Sequence, residues 1–156
     1  MAPGLQPWKF IIIKNKEKIK EISDTMLAKS KSTGAGGNII LSSSARTISG
    51  AKVIIAVYNT SSAVNLVKRF SEAYIDFAKS AELSAISAAI QNIVLEAENL
   101  GIGLCWLDAP LFCREDLNRL LKIEGALIAM LALGFPAEQG RRSPRRPLSE
   151  TVGYIK

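Results

Sequence analysis

Residues 2–10, Ala-Pro-Gly-Leu-Gln-Pro-Trp-Lys-Phe, run directly into Ile11-Ile12-Ile13. These types in this order fit a ligand-facing loop that feeds a strand. Two prolines and a glycine stiffen the loop, and Gln6 can donate and accept at once. Trp8 can cover an aromatic face, and the apolar strand fixes where both side chains point. A second group stands at the other end. From Arg141 onward, Arg141, Arg142, Arg145, Arg146 and Lys156 face only Glu150, so the tail carries +4 of the chain's net +6. A short basic terminus on a nearly neutral body suits a single phosphate or a local clamp. A nucleic-acid track would want basic residues along a whole face, so no nucleic-acid partner is expected.

What is missing constrains the chemistry further. The chain has no histidine, which removes Ser-His and Cys-His nucleophile pairs and all His-based metal sites. Cys105 and Cys113 are too few and too far apart for a Cys-x-x-Cys redox pair or a zinc site, and no metal site is expected. Nothing points to a disulfide scaffold, so a reducing cytoplasm is the expected home. No apolar run reaches the roughly 20 residues needed to span a bilayer, and Met1-Ala2-Pro3 lacks the charged start of an export signal. If the protein is an enzyme, a bound cofactor carries the chemistry.

The elements that must position these residues follow from periodicity. With 156 residues, 48% of them hydrophobic, the chain fits one domain over 1–156, with 141–156 as a basic C-terminal arm. Trp8 to Lys14 reads as a strand. Asn15 can cap a helix over Lys16 to Ala28, with Ile19, Ile22, Met26 and Leu27 as its apolar stripe. Ser30 to Gly50, rich in Ser, Gly, Ala and Lys, reads as a mobile connection. Its Gly34-Ala35-Gly36-Gly37 lacks the Lys-Ser/Thr ending of a phosphate loop. Lys52 to Asn59 has the β-branching of a buried strand. Val64 to Lys79 reads as a helix whose Phe70, Tyr74 and Phe77 are expected to pack in the core.

Glu82 to Leu100 is the centrepiece, a helix with Leu83, Ile86, Ile90, Ile93, Val94, Ala97 and Leu100 at helical spacing and Gly101 as C-cap. A helix this apolar is either the domain's central helix or packs in part on a second subunit. Gly103 to Leu107 is a short apolar segment, and Arg114 to Lys122 an amphipathic helix. Ala126 to Leu133 reads as a buried strand closed by Gly134-Phe135-Pro136. Thr151 to Ile155 suits a short strand or an arm. Cys105 is expected to be buried packing, and Trp8 and Trp106 core or interface aromatics.

Four of these segments resemble the FMN-dependent nitroreductase family. Gln6-Pro7-Trp8-Lys9-Phe10 is similar to its Asn-x-Gln-Pro-Trp-Arg-Phe segment. Ala88-Ala89-Ile90-Gln91-Asn92-Ile93, leading to Leu100-Gly101-Ile102-Gly103-Leu104-Cys105-Trp106-Leu107, resembles its central helix and the Leu-Gly-Leu-Gly-Thr-Cys-Trp run after it. Leu133-Gly134-Phe135-Pro136 resembles its Leu-Gly-Tyr-Pro turn, and Arg145-Arg146-Pro147-Leu148-Ser149-Glu150 its Arg-Lys-Pro-Leu-Glu-Glu tail. Each piece alone is unspecific. Four in order across nearly the whole chain are much more so.

The resemblance implies an α+β fold with a mixed, largely antiparallel sheet around a central apolar helix, forming an intertwined homodimer with FMN at the interface. It also implies ping-pong electron transfer from NAD(P)H to a nitroaromatic, quinone or similar small acceptor. Flavin-contacting positions are implied at Gln6, Pro7 and Trp8, with the Gln6 amide near the pyrimidine edge. Leu107, Asp108 and Ala109 are implied next to flavin N5 through their backbone. Arg145, with Arg146 as fallback, is implied on the phosphate. The family's opening helices with their Arg-Arg-Ser-x-Arg pattern have no counterpart here, and Gly4 stands where asparagine is common. The chain therefore reads as an N-terminally shortened member, with a flavin-binding or degenerate member without turnover as the alternative.

Overall fold

The computed structural model describes residues 4–138, 140 and 143–155. Arg141, Arg142 and Lys156, assigned above to a basic tail, lie outside the described residues, as do residues 1–3. Four strands, β1 (Trp8–Ile13), β2 (Val53–Asn59), β3 (Gly103–Leu107) and β4 (Ala126–Gly134), form one sheet in the order β1-β2-β4-β3. All three strand pairs are antiparallel. Trp8 pairs with Asn59, Asn59 with Ala126, and Leu107 with Met130, so β1 and β3 are the two edges.

Alternation along the strands divides the core in two. Ile13, Ile54, Ala56, Tyr58, Leu127, Met130 and Ala132 face one side. There they meet Ile19, Ile22 and Met26 of α1 (Lys16–Ser30), Leu41, Ala45 and Ile48 of α2 (Ala35–Gly50), and Leu117 of α5 (Arg114–Leu121). Val57, Ala129 and Leu131 face the other side, with Trp8, Phe10, Leu104 and Trp106 beside them. They pack on Ile86 and Ile90 of α4 (Ile75–Asn99). Each fully buried Ile or Leu contributes on the order of 1.5–3 kcal/mol of apolar transfer.

The helix ends are set by local chemistry. Asn15 Oδ1 accepts the Lys18 backbone N–H at 2.9 Å, supplying a partner for one of the orphan donors of α1's first turn. Gly101, at φ +68°, closes α4 in the left-handed region, where a β-carbon would be strained. The chain then enters β3 at once.

Several expectations are corrected. Residues 35–50 form helix α2 rather than a mobile connection, because Leu41, Ala45 and Ile48 fall on one face and are fully buried against α1 and the sheet. The segment read as one helix from Val64 to Lys79 is broken. A short α3 (Ser62–Val67) ends in a turn at Lys68–Ser71, a 3-10 turn follows at Glu72–Tyr74, and α4 begins at Ile75. The break rotates Phe70, Tyr74 and Phe77 out of the core, and all three are exposed. Cys105 is likewise exposed, on edge strand β3. Residues 151–155 form no strand and are exposed.

Helix α4 is buried along a single face. Ala78, Glu82, Ile86, Ile90 and Ala97 are buried, while Phe77, Ser84, Ala88, Gln91 and Leu95 lie along its opposite face and are exposed. Between Lys79 and Glu96 its sole charged residue is Glu82, which is buried. The outer face of that stretch therefore carries no charge.

Candidate functional site

The Gln6 loop is pinned from three directions. Gly4, at φ +86°, starts the turn; this region admits glycine and, among other residues, asparagine most readily, which accounts for the one standing where the other is common. Leu5 packs on Ala63, Val64 and Ala78 at the junction of α3 and α4. The buried Pro7 lends its carbonyl to the Thr60 N–H at 2.8 Å. Between these anchors the Gln6 side chain is exposed. Trp8 is half-buried and packs in the α4-side cluster.

At the opposite edge of the sheet, β3 ends at the buried Leu107 and turns through Asp108 into a 3-10 helix, Ala109–Cys113. Asp108 Oδ1 accepts the Trp106 indole N–H at 2.8 Å, and its carbonyl accepts the Leu111 N–H at 2.9 Å. Ala109 is buried at its side chain, and as the first residue of the 3-10 helix its backbone N–H has no partner within that helix. Pro110 contributes no N–H, so Ala109 supplies the donor that precedes Leu111 at this turn.

Gln6 and Asp108 lie toward the same end of the sheet, since β1 starts and β3 finishes there. Three strand spacings, about 14 Å, separate the two edges. One chain therefore does not bring the two sets together. Arg145 and Arg146 are exposed, and the Arg145 guanidinium donates to Ser143 Oγ at 2.8 Å and reaches none of the other candidates. A hollow of about 600 Å³ lies beside the β3–β4 end, lined by Thr47, Leu104, Cys105, Leu133 and Phe135 among others. It includes none of the candidate residues.

Sequence reasoning missed Glu82. It is fully buried in α4 and accepts from Asn59 Nδ2 at 2.9 Å and from the backbone N–H groups of Ala63 and Val64 at 2.7 and 3.1 Å. Its position four residues from both Ala78 and Ile86 was the available signal. Among the described residues no group of three or more His, Cys, Asp and Glu could hold a metal ion. No helix there is long and apolar enough to cross a membrane.

The donor set suits a flavin mononucleotide: an exposed amide that donates and accepts, a backbone N–H at the start of a 3-10 helix, and exposed guanidinium groups.

Comparison with known proteins follows the same line. The model of the nitroreductase family matches residues 2–135. A search of curated proteins finds no match. Among solved structures, a BluB-like flavoprotein from Clostridium difficile is 25% identical with a TM-score of 0.73, over 97% of this chain and 81% of its own. A Desulfovibrio desulfuricans protein in complex with FMN is 26% identical with a TM-score of 0.62, over 94% of this chain and 70% of its own. The NADPH:FMN oxidoreductase of Vibrio harveyi, in complex with NAD+, shares the fold at 15% identity and a TM-score of 0.69. This chain covers 99% of itself in that alignment but spans 61% of the Vibrio chain. With a family match running from the Gln6 loop through β4 to Phe135, and this fold around it, the chain belongs to the nitroreductase family.

Proposed function

We propose that the protein is an FMN-dependent oxidoreductase that works as a homodimer, moving electrons from NAD(P)H to a nitroaromatic, quinone or similar small acceptor by a ping-pong route. The observation that carries this reading is the placement of Gln6 and the Asp108–Ala109 turn at one end of the sheet on opposite edges. Each edge offers a polar group, and one chain does not bring the two together. A second copy can bring one chain's Gln6 edge to the other chain's Asp108 edge. The charge-free outer face of α4 supports such a copy, since its central small residues, Ser84 and Ala88, let another backbone approach.

FMN, when bound, would supply the two-electron storage, and such a site needs no histidine of its own. The chain's own residues bind and orient. Gln6 would meet the pyrimidine edge through both halves of its amide, with Pro7 and Trp8 fixing its direction. Leu107 and Asp108 would hold the turn that aims the Ala109 N–H at the N5 region. Arg145, with Arg146 beside it, would take the phosphate in a bidentate contact. The paucity of cysteine fits a reducing cytoplasm as the protein's home.

Gel filtration after incubation with FMN tests the reading. Yellow protein eluting as a dimer is the expected result, and colourless protein eluting as a monomer would overturn it.

A further inference from the structure

A buried carboxylate is tolerated where hydrogen bonds replace its water, and Glu82 has three. All three donors belong to one corner of the fold. Asn59 is the last residue of β2 and pairs with Trp8. Ala63 and Val64 open α3 and carry Leu5 on their surface. Asn59 is held in turn, because its Oδ1 accepts the Ser61 N–H at 2.8 Å and fixes which way the amide points. Ser61 sits in the left-handed region at φ +55°, a conformation that a serine keeps where its surroundings impose it. The next backbone donor, Thr60 N–H, is the one that holds the Pro7 carbonyl.

We infer that Glu82 is a positioning residue for the Gln6–Trp8 loop, acting through Asn59 and the Ser61–Val64 turn. The inference rests on the role proposed above for Gln6. From α4, Glu82 ties down the end of β2, and the end of β2 ties down the loop. The chemistry of the pocket is specific to a carboxylate. Its two oxygens accept from three N–H groups, so an amide in its place must set an NH2 against a donor. Exchanging the roles restores the match. With Glu82→Gln and Asn59→Asp together, the new amide oxygen keeps the Ala63 and Val64 donors, and its NH2 meets the new carboxylate, which still accepts from Ser61.

The test is amide hydrogen exchange on FMN-free protein, followed by FMN titration. Glu82→Gln is expected to speed exchange at Thr60 by about ten-fold or more while Met130 and Leu131 in β4 keep their protection. The double variant is expected to restore Thr60. Unchanged Thr60 protection in Glu82→Gln, or no restoration in a double variant whose β4 stays protected, would overturn the inference. If Glu82→Gln does not fold, Asn59→Ala, which removes one of the three donors to Glu82 together with the acceptor of the Ser61 N–H, carries the same comparison at Thr60. In the titration, Glu82→Gln and Gln6→Ala are each expected to weaken FMN binding, with little further loss when combined. Fully additive losses would show that Glu82 does not act through Gln6. Wild-type protein that binds no FMN would sink the flavin reading, while the exchange comparison would still judge Glu82.

Discussion

The indole N–H of Trp106 donates to the Asp108 carboxylate at 2.8 Å, across the point where β3 ends and the 3-10 helix begins. Trp106 is anchored in the α4-side core, so the bond ties an exposed turn to a rigid layer. Replacing Trp106 with Phe keeps most of the apolar contact and removes the donor. The expected cost is about 1 kcal/mol of stability, together with a several-fold weaker grip on FMN. Urea unfolding and fluorescence titration read the two effects separately, and unchanged FMN affinity would detach this turn from the site.

The outer face of α4 gives a second prediction. Ala88→Arg places a charge in the middle of the exposed stripe from Phe77 to Leu95 without touching Ile86 or Ile90, which face the sheet. Sedimentation is expected to show a folded monomer with weakened flavin retention. A dimer that survives the substitution would move the interface elsewhere.

Arg145 separates phosphate recognition from ring recognition. Arg145→Ala is expected to weaken FMN about ten-fold or more while leaving riboflavin, which lacks the phosphate, nearly unchanged. Arg146→Ala serves as the comparison. Equal loss for both ligands would place the arginine away from the phosphate.

The core itself can be probed at Ile90, fully buried between α4 and the sheet. Ile90→Ala is expected to cost about 2–5 kcal/mol in urea unfolding. A cost below 1 kcal/mol would mean that α4 packs on the sheet more loosely than its burial shows.

Cys113 provides a pH dependence with a definite sign. Burial, with the Asp116 carboxylate adding, pushes its thiol from 9.0 up to about 11. The unfolded chain therefore releases this proton before the folded one does. The contribution to stability is complete below pH 9 and is lost as pH rises through 9 to 11. Wild type and Cys113→Ala, unfolded in urea at pH 8 and pH 10.5, are expected to converge at the higher pH once their other titrations are subtracted as common. A thiol reagent at pH 8 should label exposed Cys105 and spare Cys113.

Much of the fold was legible in the sequence because β1 and β2 are rich in β-branched residues, β3 and β4 are short apolar runs bounded by turn residues, and the α1, α4 and α5 stripes are regular. Helix α2 was not, since Ser, Gly and Ala dominate its composition and a loop is the ordinary reading of such residues. Its Leu41, Ala45 and Ile48 spacing was present, and packing against α1 overrode the weak propensity. Phe70, Tyr74 and Phe77 misled for the opposite reason: their spacing continues a helix that the chain interrupts at Lys68–Ser71. The Gln6 and Asp108 segments were legible as motifs. Glu82 was not, because an isolated glutamate near the start of an apolar helix looks like a solvent-facing charge until its three donors are seen.

The most direct measurement is the visible spectrum of protein incubated with FMN and desalted, followed by addition of NADH or NADPH without oxygen. Retained flavin absorbance that bleaches on adding the nicotinamide and returns with a quinone or nitroaromatic is the expected result. Protein that stays colourless after desalting would contradict flavin binding, and a retained colour that neither nicotinamide bleaches would leave a flavin-binding protein without turnover.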